Sequence, residues 1–258
     1  MSIEQQKFIK KYKNRKIFII ISQILLFILI LSIWQILSNK NIINSFITSS
    51  PYKIFKTITN EYSNGNLLKH IYETVKVCVI SFIFTSIISL VISIIMYNHS
   101  TFAKIIAPYL IMLNSLPKVA LGPLIIIWVG ANQKAIVSMA ILISIIVSIE
   151  NIYNGFISTD KLRIKLLKTL GATKKDIMHY VIIPSNKENI FNAFKINLSM
   201  CLIGTIMGEF LTSKAGIGYL ILYGSQVFNL DLVMSGIIIL ILLSILLYLI
   251  LLIIKKTF

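Results

Sequence analysis

Acidic side chains are scarce in this sequence. Nine Asp and Glu stand against 25 Lys and Arg in 258 residues, a formal net charge of +16. Charged residues of both signs reach only 13%, where a soluble domain carries about 25%. Hydrophobic residues make up 57%, and the mean hydropathy is +0.86. This balance excludes a disordered chain, a fibre and a soluble enzyme. Cysteine is nearly absent. Cys78 and Cys201 both fall inside apolar runs, with no metal-ligand spacing and no disulfide framework, so they read as small packing residues and no metal or cofactor is expected. No Gly-x-x-x-x-Gly-Lys-Ser/Thr phosphate loop occurs, so the chain brings no ATP chemistry of its own. No internal repeat supports an inverted-repeat carrier.

What is present is a series of long apolar runs. A bilayer core about 30 Å thick needs roughly 20 helical residues. Ile17–Leu37, Val75–Tyr97 and Val233–Ile254 meet that length, and Ala135–Ile152 comes near it. Ile105–Val129 is interrupted by Pro108, Pro117 and Pro123, and reads either as one span or as two pieces around a re-entrant section. Ile190–Thr212 is the most polar, with Asn192, Lys195, Asn197 and Glu209. Ile17–Leu37 is too long for a secretory signal, and no small-residue cleavage site follows it. The expectation is an all-α integral membrane protein of six spans. Residues 1–49 form a tail and first span, and 50–258 form one transmembrane unit.

The basic residues set the expected orientation. Six spans put both termini on one side, and that side holds sixteen: six in the tail, Lys104, seven in the Tyr153–Asn189 loop, Lys255 and Lys256. Six lie opposite: Lys40, Lys53, Lys56, Lys69, Lys134 and Lys214. Positive loops stay inside, so both termini are expected in the cytoplasm. Basic loops that flank spans and carry no aromatic platform do not suit nucleic acid.

The 153–189 loop is the most informative segment. Ser158, Thr159 or Asp160 can cap a helix. Leu162, Leu166, Leu167 and Leu170 then recur at helical spacing among lysines. Gly171 sits where a left-handed residue ends that helix, Thr173 and Asp176 open a second one, and Pro184 marks a boundary before the next span. Two short helices meeting at a glycine elbow, with an apolar stripe, suit either the lipid surface or docking to a cytoplasmic protein.

The spacing Gly171, nine residues, Val181-Ile-Ile-Pro184 resembles the EAA motif of ABC-importer permeases. Lys165-Leu166-Leu167 takes the Glu-Ala-Ala place, with Lys165 departing from the family's acidic residue, and Thr169-Leu170-Gly171-Ala172 matches the wording around the glycine. The stretch Ser115-Leu-Pro117-Lys-Val-Ala120-Leu-Gly-Pro123 through Trp128-Val-Gly130 is similar to the nitrate/sulfonate/taurine-type branch. So are Glu209 with Gly216-Ile-Gly218, and Ser50-Pro51 with Gly65-Asn-Leu67 before His70.

The resemblance implies a type I ABC-importer transmembrane domain in a prokaryotic cell membrane. Its partners would be separate ABC ATPase subunits, an extracytoplasmic solute-binding protein, a second permease copy and membrane lipid. Segment 158–184 would couple to the ATPase through Leu162, Lys165, Leu166, Leu167, Leu170, Gly171, Ala172 and Pro184. Asn114, Ser115, Asn197 and Glu209 are candidates for the solute path or a gate, against plain helix-to-helix hydrogen bonding. Gly204 and Gly208 permit close helix approach within the chain or between copies. Sulfonates, taurine, nitrate and pyrimidine vitamin precursors fit the branch as solutes. The competing readings are a secondary carrier or channel with no ATPase, which leaves the elbow unexplained, and a membrane scaffold that assembles partners without moving solute.

Overall fold

The computed structural model describes residues 3–44 and 48–257; Met1, Ser2, 45–47 and Phe258, which belong to the tail, the first linker and the last residue of the expected unit, lie outside them. The described chain is helical throughout. Helix α1 runs Ile3–Asn39, α2 Pro51–Ser63, α3 Asn66–Asn98 and α4 Ser100–Ser115. A 3₁₀ turn at Lys118–Leu121 leads to α5, Gly122–Val129, and then to α6, Gln133–Ile157. Two short helices follow, α7 Lys161–Thr169 and α8 Lys174–Ile177; a π-helical turn at Met178–Ile182 joins α8 to α9, Ile183–Ser185. The chain closes with α10 Lys187–Thr212, α11 Ile217–Gln226 and α12 Leu230–Thr257.

Five helices are long and apolar enough to cross a membrane: Lys11–Asn39 within α1, then α3, α6, α10 and Leu230–Lys256 within α12. The sixth expected span is a bent pair, in which Ser100–Ser115 and Lys118–Val129 meet at 89°. Pro117 is the cause. Its ring forces Leu116 out of the helical region, to φ −70 and ψ 140, and ends α4. Pro123 sits in the first turn of α5, where a missing N–H costs nothing. Pro108 stays within α4.

Helices α3, α6 and α10 form the centre. Without water to drive apolar surfaces together, membrane helices associate through small residues and interhelical hydrogen bonds. Both devices are present. A Cβ on Gly204 would lie 2.5 Å from the Ala140 Cα of α6, and one on Gly208 would lie 3.0 Å from the Ile136 Cα. The Gly-x-x-x-Gly pair therefore serves the α6–α10 contact inside one chain. Thr85, Ser89 and Ser93 recur every fourth residue along one face of α3. They bond Ser144 at 3.1 Å, Ser148 at 3.0 Å and the Ile149 carbonyl at 3.1 Å, all on α6. Cys78 and Cys201 are fully buried in this core.

One end of this bundle gathers the α3 C-terminus, α6 C-terminus, α10 N-terminus and α12 C-terminus around α7–α9: Tyr97 packs edge-on against Phe156, and Lys255 pairs with Glu188 at 2.5 Å. This is the elbow end. The opposite, or mouth, end holds the α3 N-terminus and α11. Helix α1 stands apart. It is exposed from Lys11 to Ile30 and meets the rest near its end, where Ser38 is buried and Tyr52 N–H donates to Gln35 Oε1 at 3.0 Å.

Candidate functional site

The elbow is assembled by local rules. Asp160 caps α7, its Oδ1 accepting the Leu162 N–H at 2.9 Å. After α7, Gly171 takes φ +80 while its N–H bonds the Lys168 carbonyl at 3.1 Å and the Ala172 N–H bonds the Leu167 carbonyl at 3.0 Å. A Cβ on Gly171 would meet nothing within 4 Å, so glycine is required there for its backbone and not for space. Thr173 and Asp176 then form a reciprocal cap: Thr173 Oγ1 accepts the Asp176 N–H at 3.3 Å, and Asp176 Oδ2 accepts the Thr173 N–H at 2.8 Å. Hydrogen bonds from the Thr173 side chain and backbone hold the Asp176 carboxyl below its ordinary range.

The leucine stripe divides in two. Leu162, Leu166 and Leu170 point away from the bundle, 75%, 63% and 74% exposed, and Lys165 is exposed beside them. Leu167 turns the other way; with Ile164 and Ala172 it packs on the buried group of Ile152, Phe156, Ile177 and Ile182. Pro184 lies exposed in α9, and the break before the long helix falls two residues later, at Asn186. The π-helical turn ahead of Pro184 absorbs the missing backbone donor. Asn186 holds the junction, donating to Thr159 Oγ1 at 2.6 Å and to the Ile182 carbonyl at 2.9 Å.

The four path candidates do not form one cluster. Asn197 is fully buried and bonds Ser86 Oγ at 2.8 Å, joining α10 to α3. Glu209 is 1% exposed; it accepts from Thr74 Oγ1 at 2.7 Å and from the Gly218 N–H at 2.6 Å, tying α10 to α3 and α11. Asn114 and Ser115 are exposed at the broken span. Ser115 bonds the Met112 carbonyl at 2.7 Å. Asn114 donates to Glu150 Oε2 at 3.1 Å and accepts from Lys118 Nζ at 3.1 Å.

That bridge leads to a group of residues of which the sequence reading had singled out only Asn192. Glu150, Asn151 and Asn154 on α6 and Asn189 and Asn192 on α10 share one polar face. Part of it lines a 230 Å³ pocket with Asn151, Asn154, Ser158, Asn189 and Asn192. The signal was the three- and four-residue spacing of polar groups in the last turns of an apolar helix. It was masked by the general abundance of asparagine. At the mouth end a second cavity of 390 Å³ is lined by Glu73, Lys76, Gln133, Lys214 and Glu209 among others; Gln133 Nε2 donates to Glu73 Oε2 at 2.7 Å.

A bundle of small-residue-packed spans with a broken segment and a capped elbow between the last α6 turn and α10 is what an importer permease requires, and comparison with known proteins agrees. Residues 85–258 match the family of binding-protein-dependent transport system inner membrane components. This chain belongs to that family. The permease is 25% identical over 195 residues to the formylaminopyrimidine transport permease protein ThiX of Halalkalibacterium halodurans, covering 76% of this chain and 77% of that one. It is 24% identical over 231 residues to the protein provisionally named aliphatic sulfonates transport permease SsuC of Bacillus subtilis, covering 90% and 84%. Its fold is similar to that of the MetNI methionine ABC transporter in an inward-facing conformation: TM-score 0.67, 16% identity, covering 76% of this chain and 98% of that one.

The permease is therefore an ABC-importer subunit of this branch, a multi-pass membrane component and not an enzyme. Membership implies an ATPase and a solute-binding protein as its partners.

Proposed function

We propose that two copies of the permease, within residues 50–258 of each, enclose the path of a small solute that a binding protein delivers at the mouth end. Both termini and the elbow then lie in the cytoplasm, as the lysine distribution favours. The solute is of the kind carried in this branch, a sulfonate, taurine- or nitrate-like anion or a pyrimidine vitamin precursor; the names of ThiX and SsuC support both classes. The exposed polar face from Lys118 and Asn114 through Glu150 to Asn154 and Asn192 lines the path. Charged and amide groups at membrane depth are costly against lipid and are retained where water or a partner helix faces them. Asn197 and Glu209 hold the helices that carry it.

Segment 158–184 couples the ATPase to these helices. The carrying observation is the exposure of Leu162, Leu166 and Leu170 on a rigidly capped elbow beyond the ends of α6 and α10. Three leucines left in water beside lysines would each gain about 1.5–3 kcal/mol from burial, and a cytoplasmic groove on the ATPase supplies it.

The test is Leu166→Asp against Leu167→Asp. Leu166 is 63% exposed and belongs to none of the buried groups, so Leu166→Asp inserts and keeps its thermal stability but loses ATPase co-purification and uptake. Leu167→Asp buries a charge in the core beneath the elbow and lowers stability by about 2–3 kcal/mol. Gly171→Val forces a β-branched residue to φ +80, rotates α7 against α8 and also uncouples uptake. Normal ATPase recovery and uptake in Leu166→Asp would remove the elbow from the coupling route.

A further inference from the structure

Between the middle turns of α10 and α12 runs a groove lined by none of the residues proposed above for the solute path or the elbow. We infer that it is a binding site for an anionic phospholipid, with an acyl chain along the groove and the phosphate against Lys195. The groove has a volume of 190 Å³ and is lined by Leu198, Leu202, Leu247 and Tyr248, with Ser199 and Ser244 at its sides. Lys195 lies one turn nearer the elbow end on the same face of α10. Helical side chains lean toward the N-terminus, so its ammonium reaches back past Phe191, 5.5 Å from that ring and 5.7 Å from the Tyr248 ring.

Charge selects the occupant. Lys195 has no carboxylate within ion-pair distance among the described residues, whereas the neighbouring Glu188 is already paired with Lys255 at 2.5 Å. Lys255 also sits 5.3 Å from the Phe191 ring, and Lys256 is exposed next to it. Lys195 is eight residues into α10, about 12 Å along the axis at 1.5 Å per residue, so its extended amine reaches the headgroup level while the groove continues into the hydrocarbon. A cation at the headgroup level beside an apolar furrow that takes part of an acyl chain matches a lipid whose phosphate headgroup carries a net negative charge. A zwitterionic lipid brings the same phosphate but cancels its charge with its own ammonium group, so it gains less from Lys195. Lys195 and Ser199 stand one and two turns beyond Asn192 along α10, so the groove borders the polar face, but the two cavities share no lining residue.

The experiment uses the intact transporter complex, purified in detergent and stripped of lipid. Phosphatidylglycerol and phosphatidylcholine with the same acyl chains are titrated in, and bound lipid is counted by native mass spectrometry. Phosphatidylglycerol is expected to bind more tightly; Lys195→Gln lowers that affinity about fivefold and lowers the phosphatidylcholine affinity less, so the preference narrows. Lys195→Arg retains the preference, which separates loss of charge from misfolding, and Ser244→Trp blocks both lipids. Equal binding of the two lipids by the unmodified complex overturns the site, as does an unaltered preference in Lys195→Gln. An interchain disulfide at Ser199→Cys, with Cys78→Ala and Cys201→Ala, also overturns it, because a second copy then covers the groove.

Discussion

Glu209 shows how one carboxylate organises the mouth end. The first backbone N–H groups of a helix have no partner inside it. In α11 they are met by side chains from elsewhere: Gly216 N–H bonds His70 Nδ1 at 3.0 Å, Ile217 N–H bonds Thr74 Oγ1 at 2.8 Å, and Gly218 N–H bonds Glu209 Oε2 at 2.6 Å. Thr74 in turn donates to Glu209 Oε1 at 2.7 Å. Space is as restrictive as hydrogen bonding, since a Cβ on Gly218 would lie 2.8 Å from Glu209 Oε2. Glu209→Ala leaves two buried donors without acceptors, each costing about 1–3 kcal/mol. The expected result is a clear drop in thermal midpoint in detergent, with ATPase co-purification kept, and a smaller drop for Glu209→Gln. At the elbow, Asp176 gives a pH dependence instead. Its folded pKa lies below the ordinary value, so its contribution is fully present above a pH of about 4 and is lost as pH falls through the folded value. Protection of the 174–177 amides, corrected for intrinsic exchange, should be constant from neutrality down to that range and fall below it. Asp176→Asn should remove this acid dependence.

Elements differ in how much of them the sequence reveals, and the reason is range. The elbow was legible because Asp160, Gly171, Thr173 and Asp176 act on backbone groups within a few residues. The spans were legible as apolar runs, although α3 begins at Asn66, nine residues before the run at Val75, because its first turns are polar and face the mouth. The inward turn of Leu167 was hidden: helical spacing groups it with Leu166, and only the group around Ile152, Phe156 and Ile182 separates them. The polar path face was hidden for the same reason, since Asn114 and Glu150 are 36 residues apart. The Gly204–Gly208 pair announced a close approach but not its partner. With α6 as that partner, Gly204→Ala must push the Ala140 backbone away from a Cβ 2.5 Å from its Cα. A cost of about 1–3 kcal/mol follows, read as a lowered thermal midpoint, while the dimer-to-monomer ratio of the purified permease stays unchanged. A loss of the dimer at unchanged thermal midpoint would place the pair between copies.

At the scale of the whole molecule, two features ask for a bilayer and a second copy. The span of α1 is exposed from Lys11 to Ile30, and only lipid or another protein chain can cover that stretch. The polar face bearing Glu150 and Asn154 lies open on one side of the bundle, and a single chain cannot enclose it. In the proposed assembly two copies facing each other across it would close a path by two-fold symmetry, and each would bring one elbow to one of two ATPase subunits. Mass measurement of the purified transporter should therefore give two permeases to two ATPases, and a one-to-one complex active in ATP-driven uptake would overturn the pairing. The direction of that path rests on topology, which thiol labelling reads directly. Cys78 and Cys201 are fully buried and are replaced by alanine. Asn66→Cys then places a thiol at the exposed mouth end of α3, and Lys174→Cys places one on the exposed elbow. The sixteen basic residues on the elbow side, against six opposite, favour the proposed cytoplasmic placement of the elbow. An impermeant reagent added to intact cells should label Asn66→Cys and spare Lys174→Cys until the membrane is opened. The reverse pattern would place the exposed leucines outside the cell, where no ATPase could reach them, and the coupling role of the elbow would fall with the topology.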